Sequence, residues 1–183
     1  MTQYARPDDD YGSQGEWVKN GGSGSDLYQA IDESSVDDTD YIQLDMSMED
    51  FSPAVFETSN VTDPSSSSGH KVTFRCKADE ADGETSGGSM LAKLLVGGSV
   101  VATNGTTEEC PADGSWETFE WPLSTAQANA ISSYSNLQIS LTPSDPESMM
   151  GNIYCSWLFF ECPDAAAPAA AANGSAFMLF LDT

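Results

Sequence analysis

Positive charge is what this chain has least of. Six Lys and Arg stand against 29 Asp and Glu, for a formal net charge of −23. A molecule this negative repels phosphate backbones and anionic lipid, which argues against nucleic acid and membrane surfaces as partners. Long hydrophobic runs are missing too. WLFF and AFMLFL are the longest, well short of the roughly 20 apolar residues of a membrane-crossing helix. The opening stretch, MTQYARPDDDYGSQG, has neither a basic n-region nor an apolar h-region, so no secretory leader is expected.

The vocabulary of catalysis is equally thin. There is a single histidine, His70, set in SSSSGHK with no acid at a spacing that suggests a Ser-His-Asp site. GxSxG, a phosphate-cradling glycine loop and HExxH are all absent. With 29 carboxylates, a pair suited to glycoside hydrolysis can be nominated anywhere, so such pairs carry no signal. The chain is therefore expected not to be an enzyme and to act through its surfaces. The four cysteines, Cys76, Cys110, Cys155 and Cys162, form no CxxC, and with His70 isolated a zinc site is not expected. Four cysteines allow three pairings, among which the sequence does not choose. Cys76 and Cys162 fall on apolar alternations and read as small buried hydrophobes.

Acid is what the chain has in abundance. Many Asp and Glu, few Lys, and plentiful Ala, Gly, Ser and Thr resemble the composition of proteins from salt-in halophiles. Self-repulsion at this charge strains the folded state unless salt screens it, and the Debye length falls from about 10 Å at 0.1 M to about 3 Å at 1 M. The expected result is a melting temperature higher in about 2 M than in about 0.1 M NaCl; an equal or lower value at high salt contradicts the halophilic reading. Asp32, Asp37, Asp38 and Asp40 are the candidate ligands for a calcium ion, which takes six to eight oxygens. Their segment, DESSVDDTD, lacks the D-x-D-x-D-G register, and a solvated acidic face is the plainer expectation, with no cofactor.

Period-2 alternation bounded by turn residues recurs along the chain. It predicts strands at Lys71–Ala78, Met90–Val96, Val100–Thr103, Ser115–Trp121, Asn136–Thr142 and Asn152–Cys162, with a hairpin turn at Gly97-Gly98. Weaker segments lie near Trp17, from Leu27, from Asp40 and from Pro53. A short helix fits between Ser124 and Ser133, capped by Ser124 or Thr125. With no βα alternation, the fold expected is all-β: an antiparallel, jelly-roll-like sandwich over residues 1–164. Residues 165–183 read as an Ala/Pro linker and a C-terminal arm ending in Phe177, Met178, Leu179, Phe180 and Leu181, five apolar residues expected to dock on another chain. Trp157 and Phe159 join them as interface candidates, because alternation turns them away from the core if Leu158, Phe160 and Cys162 face it. Trp17, Tyr28, Tyr41, Trp116, Trp121, Tyr154 and Trp157 are sugar-stacking candidates wherever they are exposed together, though most are expected in the core.

The segments RPDDDYGSQGEWVKNGGSGSDLYQAIDE, DDTDYIQL, GHKVTFRCKA, MLAKLLVGGSVVAT, SWETFEWPLS, QANAISSYSNLQISL and YCSWLFFECPD, in that order, resemble the jelly-roll modules in structural proteins of tailed viruses, over Tyr4 to Asp164. The resemblance implies a virion surface location and a capsid decoration, turret or fibre role. It also implies homo-oligomers, trimeric or pentameric, with capsid or other virion proteins as partners. It supplies no catalytic residue, and Cys155, Cys162 and the Ala-rich tail depart from its pattern. The acidity fits a virus of a halophilic archaeon. The alternative is a carbohydrate-binding module, on a viral fibre that meets a host surface glycan or on a secreted protein.

Overall fold

Strands whose alternate residues are apolar need a second layer to cover them, and here two antiparallel sheets cover each other. The structure is a computed structural model and describes residues 1–20, 22, 25–45, 51–79, 88–144 and 151–165. In chain order the strands are β1 (Thr2–Ala5), β2 (Pro7–Asp10), β3 (Val18–Lys19), β4 (Ile42–Asp45), β5 (Ala54–Thr58), β6 (Lys71–Ala78), β7 (Ser89–Val96), β8 (Ser99–Thr103), β9 (Glu108–Glu109), β10 (Glu117–Pro122), β11 (Leu137–Ser144) and β12 (Asn152–Pro163). A 3-10 turn covers Leu27–Ala30, and the helix α1 covers Thr125–Asn129.

The first sheet runs β10-β6-β12-β4-β3, with β1 also on β12. The second runs β2-β5-β11-β7-β8, with β9 also on β7. Val72, Phe74 and Cys76 of β6 meet Leu94 of β7 and Ile139 and Leu141 of β11 in one shared core, all essentially inaccessible to solvent. Fully burying each large side chain contributes roughly 1.5–3 kcal/mol, so this seam is what holds the layers together.

Local chemistry agrees with most of the expected elements. Gly97 and Gly98 have φ of 56° and 80°, the type I′ turn that matches strand twist and admits few side chains. Ser124 caps α1 in a capping box, its hydroxyl accepting from Gln127 N while Gln127 Oε1 accepts from Ser124 N. Other elements differ from expectation. The segment from Leu27 is a 3-10 turn, whose first amides donate to both oxygens of Asp10 at 2.9 Å. The strands β1, β2 and β9 were not expected. PDDD has poor strand propensity, and only pairing with β5 makes it a strand.

His70, read as a loop histidine, is 2% exposed, sharing a 2.7 Å hydrogen bond with Tyr134 and packing against Phe160. Burial lowers its pKa, favouring the neutral ring. Cys76 is likewise no lone hydrophobe: it bonds to Cys110, while Cys155 and Cys162 are buried free thiols whose pKa burial raises to about 12 and about 11.

Candidate functional site

Sidedness follows from β6. Val72, Phe74, Cys76 and Ala78 face the core, so Lys71, Thr73, Arg75 and Lys77 line the outer face of the first sheet. On one side β10 sets Thr118 beside Arg75 and Glu120 beside Thr73. On the other, β12 sets Tyr154 beside Lys77, Trp157 beside Arg75 and Phe159 beside Thr73. Strict alternation would put Tyr154 and Trp157 on opposite faces. A bulge between Cys155 and Trp157 absorbs Ser156 as an extra residue and turns both aromatics outward.

Two aromatic groups result. Tyr41, Trp116 and Tyr154 have ring centroids 5.4–6.3 Å apart, with Tyr41 and Trp116 partly exposed and Tyr154 8% exposed. An Asx turn places Trp116 just before β10, Ser115 donating its amide to Asp113 Oδ1 at 2.9 Å. The Tyr154 hydroxyl donates to Asp79 Oδ2, which also accepts from Asn152. Lys77 Nζ lies 5.1 Å from the Trp116 centroid and 4.6 Å from that of Tyr154. In the second group Tyr4, 44% exposed, meets Phe159 edge-on at 5.6 Å, and Phe159 lies 4.6 Å from Trp157. The Arg6 guanidinium sits 5.1 Å from the Tyr4 ring.

Between the groups stands an ion pair. Arg75 donates from Nε and Nη2 to the two oxygens of Asp38, each at 2.8 Å, and from Nη1 to Thr118 at 3.1 Å. Ser156 adds a 3.0 Å hydrogen bond to Asp38 Oδ1, so the bulge residue helps seat the pair. Hydrogen bonding from Arg75 holds the Asp38 carboxyl below its ordinary range. Asp38 belongs to the segment after the 3-10 turn, which also fills the edge of β12 between β4 and β1. There Leu158 N donates to Ile31 O at 3.1 Å, and Trp157 Nε1 to Glu33 O at 2.8 Å.

Trp157 and Phe159 lie on the outer face, and Phe159 is only 5% exposed, because Tyr4 and Trp157 pack on it. Phe177, Met178, Leu179, Phe180 and Leu181 lie outside the described residues. The candidate calcium ligands are not brought together. Asp37 accepts from Thr39, Asp38 is bound by Arg75, and Asp40 accepts from Asn20. Among the described residues no group of three or more His, Cys, Asp or Glu is placed to share a metal ion. Of the sugar-stacking candidates, Trp17 and Trp121 are core residues at 2% and 5% exposure, and Tyr28 packs against the core. Arg6, Lys77 and Glu33 were not singled out from the sequence. The Lys71/Arg75/Lys77 parity on β6 is the signal that places Lys77.

Glu33 has one buried carboxyl oxygen with no hydrogen-bond partner, and burial, reinforced by Asp32, Asp40 and Asp37, raises its pKa from 4.5 to about 7. A raised carboxyl pKa favours the protonated folded state. Its stabilising effect is complete below the unfolded pKa and is lost as pH rises through about 7. Discounted for partial solvent access, the Glu33→Gln gain at pH 8 is about 1–2 kcal/mol. The melting temperature should rise by about 2–8 °C there and change little at pH 4; an equal rise at both values contradicts this assignment.

No protein-family model matches the sequence, nor does any curated protein. Solved structures resemble it in fold. The xylan-binding module CBM15 is 11% identical with a TM-score of 0.50, over 86% of this chain and 97% of that one. TmCBM61 in complex with β-1,4-galactotriose is 12% identical with a TM-score of 0.39, over 84% and 92%. The enzymatically active domain of bacteriophage CBA120 tailspike protein 4 is 8% identical with a TM-score of 0.41, over 87% of this chain and 19% of that one. The fold is a jelly-roll β-sandwich. At these identities the likeness concerns fold alone.

Proposed function

We propose that the chain is a carbohydrate-binding β-sandwich module that takes a glycan on the outer face of its first sheet. The observation that carries this is the grouping of Trp116 and Tyr41, both partly open to solvent, on the buried Tyr154, beside a row of polar side chains on β6 and β10. A pyranose presents an apolar C–H face and a rim of hydroxyls. It therefore needs an aromatic surface to stack on and hydrogen-bonding groups around it. Thr118, Lys77 and Asp79 surround the aromatics here. The xylan-binding module has the same fold, which supports the reading without supplying any of its residues.

The disulfide Cys76–Cys110 supports a role in oxidising surroundings, such as outside a cell. On a virion, the placement suggested by motif order, the glycan taken by this face would be one on a host surface. Binding to an array of immobilised oligosaccharides tests the function. The expected result is saturable binding to a restricted glycan class, competed by the same sugar in solution. Binding to no glycan at either low or high salt contradicts it.

A further inference from the structure

The six basic side chains are not spread evenly. Arg6, Lys71, Arg75 and Lys77 all belong to the outer face of the first sheet, in a chain carrying 29 carboxylates. Two of the four are ion-paired there. Lys71 bridges Glu120 at 2.7 Å and Glu161 at 3.4 Å, and Arg75 is held by both oxygens of Asp38. Lys77 is different. Among the described residues its ammonium makes no ion pair and no hydrogen bond, and its contacts are the rings of Trp116 and Tyr154.

Those rings favour the cation by roughly 0.5–1 kcal/mol but accept none of its N–H groups in the manner of an oxygen. Two described acids on this face have partners of their own. Asp38, whose carboxyl feels the Lys77 charge, is committed to Arg75 and Ser156, and Asp79 accepts from Tyr154 and Asn152. Among the described residues, then, no oxygen takes up the donors of this half-buried lysine on the stacking surface. Lys77 Nζ lies over one face of the indole, 5.1 Å from its centroid, so a sugar at Trp116 would meet it through substituents that reach past the ring's edge.

We infer that the glycan bound at this face is anionic, bearing a carboxylate or sulfate on the sugar that stacks at Trp116, with Lys77 as the group that selects it. This rests on the glycan-binding reading above and goes beyond it in naming the ligand's charge. A charge-assisted hydrogen bond is roughly twice as strong as a neutral one, so the oxyanion would dominate selectivity. The net charge of −23 opposes the approach of an anion at long range. That repulsion fades beyond a Debye length of about 8 Å at physiological salt, while a contact pair is screened far less.

Calorimetry on the full chain at about 0.3 M NaCl tests this. The probes are three oligosaccharides of one length on the backbone that binds best on the array: neutral, uronate-bearing and sulfated. The wild type should bind at least one anionic form about tenfold more tightly than the neutral one, and which form it prefers names the source of the charge. Lys77→Gln should bring the anionic-to-neutral affinity ratio close to one, and Lys77→Arg should keep it well above one. A wild-type preference for the neutral sugar, or a ratio unchanged in Lys77→Gln, overturns the inference while leaving glycan binding in place. Binding of none of the three in solution shows the array signal to be non-specific and overturns both.

Discussion

Trp116→Ala should weaken glycan binding by about ten- to a hundredfold, the 1.4–2.8 kcal/mol expected when a central aromatic contact is removed. The indole is partly exposed and packs on Tyr41 and Tyr154 at the rim of the domain, away from the seam between the sheets. Folding should therefore change by about 1 kcal/mol or less, and the melting temperature by a few degrees. The comparison that makes the result specific is Trp121→Ala. Trp121 is 5% exposed and faces the core, so its removal should cost stability, about 3–5 kcal/mol, through the cavity it leaves. Calorimetric titration and thermal melts of the two variants separate the roles. Trp116→Ala binding as tightly as the wild type would move the site off this face.

Reducing the Cys76–Cys110 bond should be the most damaging covalent change. The two residues are separated by 34 positions in sequence, and the chain-entropy relation gives a loss of about 3.7 kcal/mol on opening a loop of that length. For a domain of this size the melting temperature should fall by about 7–15 °C. Cys76 is on a central strand, its partner Cys110 is fully buried, and neither end of the bond can relax into solvent. A melt with and without reductant, repeated on Cys110→Ser, measures this; the variant should match the reduced wild type. Equal melting temperatures in both conditions would mean the bond does not constrain the domain. Cys155 and Cys162 should contribute nothing to the redox response, since burial raises their pKa to about 12 and about 11.

Much of the sandwich can be read directly from the residues. KVTFRCKA alternates cleanly and becomes β6 with the expected ends, and the strand from Asn152 is the central one because its apolar residues serve the shared core. What could not be read depends on partners. PDDD is a strand only because β5 supplies the ladder, and the role of Asp10 depends on a distant partner: its carboxylate accepts from the first amides of a turn that begins 17 residues on. Cys110 is one of three cysteines that could have partnered Cys76.

The candidate site was visible as a set of aromatics but not as a surface. Alternation alone places Tyr154 with Ser156 and opposite Trp157, whereas the bulge at Ser156, seen only against β6, puts Tyr154 and Trp157 on one face. The calcium ligands illustrate the reverse. Asp32, Asp37, Asp38 and Asp40 are close in sequence, yet Arg75, Thr39 and Asn20 draw three of their carboxylates to different partners.

The central claim is that a glycan stacks at Trp116. The chain has four tryptophans, Trp17, Trp116, Trp121 and Trp157, so its indole N–H groups give four probes for nuclear magnetic resonance. Trp17 donates to Ser52 O at 3.0 Å within the core, and Trp157 donates to Glu33 O at 2.8 Å beside the site. Titration with an oligosaccharide identified on the array should shift the Trp116 resonance progressively to saturation, Trp157 less, and leave Trp17 and Trp121 in place. Saturable binding that leaves Trp116 unmoved would contradict the account.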